Sequence, residues 1–165
     1  MVLSLFILGF IVLCCFAAVR DVATLTIPNW LNGWLAFLFL PACILAAPGW
    51  DVAGWHVIAG TIAFVIAVLA FMFGLFGGGD AKMIPGVILW VGPAGAMPFI
   101  YGMALSGGIL ALLVILARRA VPAYAVPDFA YETLQPNKGV PYGVAIAIGA
   151  FYAAPHSPIL TQFLN

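Results

Sequence analysis

The chain has 165 residues, of which 66% are hydrophobic and only 6% charged. Ordinary soluble domains run at about 45–50% apolar and about 25% charged, so ten charges cannot clothe a 17.4 kDa particle in water, and a soluble globular domain is excluded. Such hydropathy also excludes disorder, and five basic residues balanced by five acidic ones leave no basic surface for nucleic acid. A polytopic membrane protein remains: at roughly 20 residues per span, six spans use about 120 residues.

The charge map divides the chain into uncharged stretches at 1–19, 22–50, 52–79, 83–117 and 139–165. Each exceeds the roughly 18 residues of a membrane helix. The first predicted span is Val2–Val19. The second is Trp30–Ala47, stopped by Pro48-Gly49, and the third is Trp55–Phe76, stopped by Gly77-Gly78-Gly79. The stretch 83–117 is too long for one upright helix and is interrupted at Gly92-Pro93-Ala94-Gly95. It divides there into a short fourth span starting near Asp80 and a fifth ending near Ala117. A polar segment from Arg118 to Lys138 precedes the sixth span, Val140–Ala154. The predicted fold is all-α, a polytopic bundle of about six transmembrane helices.

Six spans put Arg20, Lys82, Arg118, Arg119 and Lys138 on one face and no Lys or Arg on the other. Basic residues gather on the cytoplasmic side, so that face is expected to be cytoplasmic and both termini to face away from it. Trp30, Trp50, Trp55 and Trp90 fall near predicted span ends, where interfacial aromatics belong. The N-terminus lacks the positive region of a secretory signal. Cys14, Cys15 and Cys43 fall inside spans with no CxxC pairing and no metal-ligand spacing, so they read as small apolar side chains, and no metal or cofactor is expected.

Carboxylates at a membrane span are costly and point to function. Asp21 directly follows the first span; Ile27-Pro28-Asn29 comes six residues later and forces its helix to end near Leu25–Ile27, with Asn29 placed to cap the second span. Asp80 follows three glycines, which weaken a helix but permit close backbone approach. The plainer readings are an interfacial Arg20–Asp21 pair and a flexible loop with Asp80 as a helix N-cap. Parity joins the two: both end outward-to-inward spans, so both belong at the cytoplasmic face. Two carboxylates sharing a site do not both ionise easily; one is held protonated, and the pair can serve as base toward water and acid toward a leaving group. Asp51 is assigned to a solvated loop on the opposite face, and Asp128 and Glu132 to an ordered surface excursion. His56 and His156 are lone histidines of the outward side, with no ligand or catalytic role expected. No GxSxG, HExxH or P-loop sequence is present.

These motifs resemble those of the type IV prepilin peptidases, polytopic GxGD-type aspartic proteases of the bacterial inner membrane. Asp21-Val22-Ala23-Thr24-Leu25-Thr26-Ile27-Pro28-Asn29 is similar to the first family motif, and Gly77-Gly78-Gly79-Asp80-Ala81-Lys82 fits G-x-G-D-x-K. Val140-Pro141-Tyr142-Gly143-Val144-Ala145-Ile146-Ala147-Ile148-Gly149-Ala150 resembles the last-span signature of the short branch that serves tight-adherence (Flp-type) pili. The three stretches extend from residue 21 to residue 150; Met83 departs mildly from the leucine common after the motif lysine. The resemblance implies one transmembrane peptidase domain over residues 1–165, with Asp21 and Asp80 catalytic and Gly77, Gly79, Lys82, Pro28 and Asn29 supporting them. It implies no metal and no cofactor, membrane lipid around the bundle, and a prepilin substrate whose short basic leader is removed at the cytoplasmic face. Longer relatives also methylate the new pilin N-terminus through a domain with paired CxxC motifs; these are absent here, so methylation is not expected. The competing readings are a small ion- or proton-coupled transporter using both aspartates, disfavoured by the lack of an inverted repeat, and a non-catalytic pilus or secretion assembly factor.

Overall fold

A computed structural model describes residues 2–122 and 125–163. Its helices are α1 (Val2–Thr24), α2 (Asn29–Ala46), α3 (Trp50–Met72), α4 (Asp80–Ala120), the single turn α5 (Tyr131–Leu134) and α6 (Tyr142–Ala153). Among the described residues, α1 to α4 are long and apolar enough to cross a membrane. The protein is an all-α membrane bundle. Met1 and Asn165, expected on the outward side, lie outside the described residues.

The long α4 is two helices. Gly92 has φ 69° and ψ −174°, a conformation closed to other residues, and the chain turns back there. A straight helix of 41 residues would span about 60 Å at roughly 1.5 Å per residue. Here its returning half runs antiparallel to α6, with Gly95 facing the Ala153 carbonyl, Gly102 facing Gly149, and Gly107 facing Tyr142 and Ala145. Arg118, near its end, donates to the Gly139 carbonyl, on the wall of the cavity that holds Asp80. The expected division at Gly92–Gly95 therefore marks a reversal, and small residues at the α4–α6 contact let the backbones approach.

The reversal leaves carbonyls to satisfy. Pro93 has no N–H, so the Leu89 carbonyl loses its helical partner. His56 Nδ1 lies 2.9 Å from that oxygen; a carbonyl can only accept, so Nδ1 carries the hydrogen. Ser157 Oγ donates to the Trp90 carbonyl at 2.8 Å. In a membrane interior such groups have no water to turn to. His56 was expected as a lone outward histidine; it is buried at 1% exposure, stacked on Phe39 and pressed against Gly92.

Burial separates two kinds of helix. Ile7, Phe10, Cys14, Ala17 and Asp21 form the buried stripe of α1, spaced alternately by three and four residues, flanked by half-buried Phe6, Ile11 and Leu13, while Leu5, Leu8, Val12 and Val19 face outward. Residues 80–91 are buried on nearly every side, and α6 is buried except for the face of Ile148, Phe151 and Tyr152. At twelve residues, α6 is about 18 Å long, short of a hydrocarbon core about 30 Å thick. The sixth expected span is thus shorter than Val140–Ala154, because Pro141 delays its start, and it passes into a 3-10 turn at Ala154–His156. The third expected span also shifts: α3 starts at Trp50 rather than Trp55, directly after Pro48-Gly49, and stops at Met72, before Gly74 with φ 71°. Asp51 consequently lies in the first turn of α3, where a negative charge suits the helix dipole, and not in a loop.

Gly92→Ala is expected to destabilise the bundle strongly, since a Cβ there would come within 2.5 Å of the His56 ring. His56→Leu, which orphans the Leu89 carbonyl, should cost about 1–3 kcal/mol. Thermal denaturation in detergent checks both: wild-type midpoints for the two variants would mean that the reversal does not depend on these contacts.

Candidate active site

Asp21 closes the buried stripe of α1 and is 5% exposed. Its helix ends as the proline downstream requires: the Leu25 N–H bonds to the Asp21 carbonyl at 2.8 Å, Leu25 takes φ 50°, and residues 26–28 run on without helical structure. The carboxylate accepts the backbone N–H of Gly143, at the start of α6, at 2.7 Å. That approach requires a glycine, because a Cβ on residue 143 would sit 2.9 Å from the Asp21 Cβ. Asp21 forms no ion pair with Arg20 among the described residues; the ion pair found there joins Lys138 and Glu132 at 3.1 Å.

Asp80 opens α4, directly after the glycine run. Gly79 holds the N-cap position, and the Asp80 carboxylate turns back over Gly77, whose backbone N–H points at it. The three glycines differ. A Cβ at Gly79 would lie 3.0 Å from the Ile27 Cβ and 3.2 Å from the Ile27 nitrogen, so the two motif segments touch backbone to backbone there. A Cβ at Gly77 would meet Asp80 Oδ2 at 2.9 Å, whereas at Gly78 the nearest atom is a Phe71 ring carbon at an ordinary 3.4 Å. The second tie is polar: Lys82 Nζ donates to Asn29 Oδ1 at 2.8 Å. Asn29 was expected to cap α2. Pro28 takes the cap position instead, in extended backbone, which frees the Asn29 amide for Lys82.

The two aspartates line one cavity of about 480 Å³, together with Thr24, Thr26, Phe76, Tyr142 and the Glu132–Lys138 pair. A smaller pocket of about 280 Å³, between residues 25–27 and 77–79, also reaches both. The carboxylates are near enough for the charge of Asp21 to act on Asp80. All five basic residues belong to this end of the bundle: Arg20 adjoins Asp21, Lys82 bonds Asn29, Arg118 bonds the carbonyls of Thr133 and Gly139, Arg119 follows it, and Lys138 lines the cavity. Asp51, Asp128 and His156 are exposed and stand outside the cavity. Among the described residues no three His, Cys, Asp or Glu side chains gather as metal ligands would.

Two residues of the site carried no assigned role in the sequence. Gly143 sat unremarked within the last-span signature, and its signal is position: a glycine in the first turn of a helix that meets a carboxylate. Glu132 looked like part of a surface excursion; its segment is bound to α1 by Thr133 Oγ1, which donates to the Val22 carbonyl at 2.6 Å.

A helical membrane bundle with two carboxylates on one partly polar cavity defines a class: membrane proteins that gather acidic side chains at a span end. Residues 8–112 match the type IV leader peptidase family, and the chain belongs to that family. The matched region takes in Asp21, the Ile27-Pro28-Asn29 turn and Gly77 to Lys82. The protein is accordingly a membrane protease. No curated relative and no solved structure matches the chain.

Gly78→Ala is expected to retain protease activity, while Gly79→Ala and Gly143→Ala lose most of it, the first by forcing the α4 entry off the Ile27 backbone and the second by pushing α6 off the Asp21 side chain; Gly77→Ala should fall between. Proteolytic rates normalised to protein abundance check the order, and equal rates for all four variants would show that close approach is not what the glycines provide.

Proposed function

We propose that the protein is an aspartic prepilin peptidase of the Flp-pilus branch, with Asp21 and Asp80 as its catalytic pair. The observation that carries this reading is the shared cavity: two aspartates from motif segments 59 residues apart, Asp21 and Asp80, face one space. A water between them loses its proton to the ionised carboxylate and attacks the scissile carbonyl; the protonated partner then delivers a proton to the leaving amine. The scissile bond must lie in extended backbone, because a helical peptide group is already hydrogen-bonded internally. Gly77 and Gly79 let the Asp80 turn close on Ile27, Pro28 directs the chain out of α1, and Lys82 with Asn29 ties α4 to α2. Residues 1–165 act as a single transmembrane peptidase domain.

The substrate is a prepilin with a short basic leader ahead of an apolar helix, and the product is the trimmed pilin; methylation of that product is not part of the reaction. The enzyme sits in the bacterial inner membrane, surrounded by lipid, with both termini periplasmic and the cavity at the cytoplasmic face. The supporting argument is the basic end of the bundle, since Lys and Arg are retained on the cytoplasmic side.

Asp21→Asn and Asp80→Asn should each lower prepilin cleavage by about 10²–10⁴-fold or more, the usual share of acid–base catalysis, while the protein still inserts. Full processing by either variant in a membrane assay ends the aspartic-protease reading. A reporter fused after Lys138 should read cytoplasmic and one at the C-terminus periplasmic; the same location for both would remove the last crossing.

A further inference from the structure

Arg118 resembles, in sequence, one more basic residue anchoring a span at the interface. Its side chain does something more specific. The guanidinium is half-buried and reaches the carbonyls at two points of the segment that walls the cavity. Nε and Nη2 donate to the Thr133 carbonyl at 3.1 and 2.7 Å. Nη2 also donates to the Gly139 carbonyl at 2.7 Å. Thr133 is in turn fixed to α1 through the Val22 carbonyl, one residue beyond Asp21.

Beside those two carbonyls, one residue before each, stand the residues that give the cavity its outer charges. Glu132 and Lys138, paired at 3.1 Å and partly exposed, both face the cavity, as does Gly139 itself. An exposed ion pair contributes little on its own, and the described part of this segment holds only the single turn α5 and the short 3-10 turn Asp128–Ala130. Its shape therefore depends on attachments at its edges. A planar guanidinium with a fixed fork of donors can bridge two carbonyls at once, which a flexible ammonium does poorly, and such charge-assisted bonds are the strong ones.

We propose that Arg118 is a positioning residue of the peptidase: by clamping Thr133 and Gly139 it holds segment 131–139 as the substrate-contacting wall of the Asp21–Asp80 cavity. The role rests on the peptidase reading for its consequence in catalysis, but not for its mechanical content. Arg118 touches neither aspartate. Its loss weakens substrate binding rather than the chemical step, because Gly143 remains held against Asp21 by α6. Arg119, the next residue, is exposed and takes no part in this network, although it carries the same charge at the same membrane face.

The test compares Arg118→Gln, Arg118→Lys and Arg119→Gln with wild type in lipid nanodiscs, reading amide hydrogen exchange across residues 131–139 and steady-state cleavage of a purified Flp-type prepilin. Both Arg118 variants are expected to exchange about tenfold or more faster in that segment, and Arg119→Gln at the wild-type rate. In the Arg118 variants KM should rise about fivefold or more, with kcat changed by less than about threefold. If Arg118→Gln does not accumulate, Arg118→Lys decides by the same two readouts. Wild-type exchange in the Arg118 variants overturns the clamp. Faster exchange with unchanged KM overturns its role in substrate contact, as does an equal effect from Arg119→Gln, which would reduce both residues to membrane anchoring. Should wild type fail to cleave the prepilin while exchange responds as expected, the substrate assignment falls and the clamp stands.

Discussion

A peptide group in hydrocarbon must find its hydrogen-bond partner inside the protein, because no water is there to supply one. That constraint shapes this fold more than any single contact. It accounts for the absence of strands among the described residues and for the placing of helix ends, and it makes the reversal at Gly92 dependent on side chains from elsewhere. The Leu89 carbonyl, left without a donor by Pro93, is met by His56 from α3, and the Trp90 carbonyl by Ser157 from beyond α6. With the reversal secured, residues 80–91 can sit in the middle of the bundle, flanked by α2 and α3 on one side and α6 on the other. Asp80 is thereby delivered to the same end as Asp21.

At that end the controlling quantity is distance between backbones. Two glycines do this work here, one at the entry to α4 and one at the start of α6, and a third does the same farther along α6. Gly79 lets the α4 entry touch Ile27, Gly143 brings an amide onto Asp21, and Gly149 admits the Phe99 and Met103 backbones. None of these three has a positive φ, so their role is to leave out a side chain rather than to reach an unusual conformation. The polar ties, Lys82 to Asn29 and Arg118 to Thr133 and Gly139, act where the backbones have already been brought near.

Much of this was legible in the sequence because membrane insertion leaves few choices. Charge placement separated the apolar stretches, though the ends of α3 and α6 fall elsewhere than expected, and the Gly92-Pro93 pair announced the break. The alternating three- and four-residue spacing from Ile7 to Asp21 emerges only in the structure, because the other positions of α1 are as apolar as its buried stripe. What was not legible depended on contacts between distant residues. His56 has no periodic or motif signal; only the three-dimensional meeting with a proline-starved carbonyl explains it. Asn29 looked like a cap because caps are local, and its actual partner is 53 residues away. Glu132 could not be brought to the cavity by any local rule, since the bonds that carry its segment there run from Arg118 and to Val22. The branch of the family, the prepilin itself and the membrane face stay with the motifs and the charge pattern that suggested them.

The bond between Asp21 and Gly143 joins residues 122 apart in the chain. At a synthesis rate of about 5–20 residues per second, roughly 6–24 s separate the two on the ribosome. During that interval α1 is already made, and Asp21 lacks both its amide partner and the wall that encloses it. The cavity closes only when the last helix slides in beside the returning half of α4. Maturation thus has an order built into the chain: the first motif to be translated is the last to be completed, and a nascent or truncated product carries both aspartates and the smaller pocket between residues 25–27 and 77–79, but not the wall from Glu132 to Tyr142.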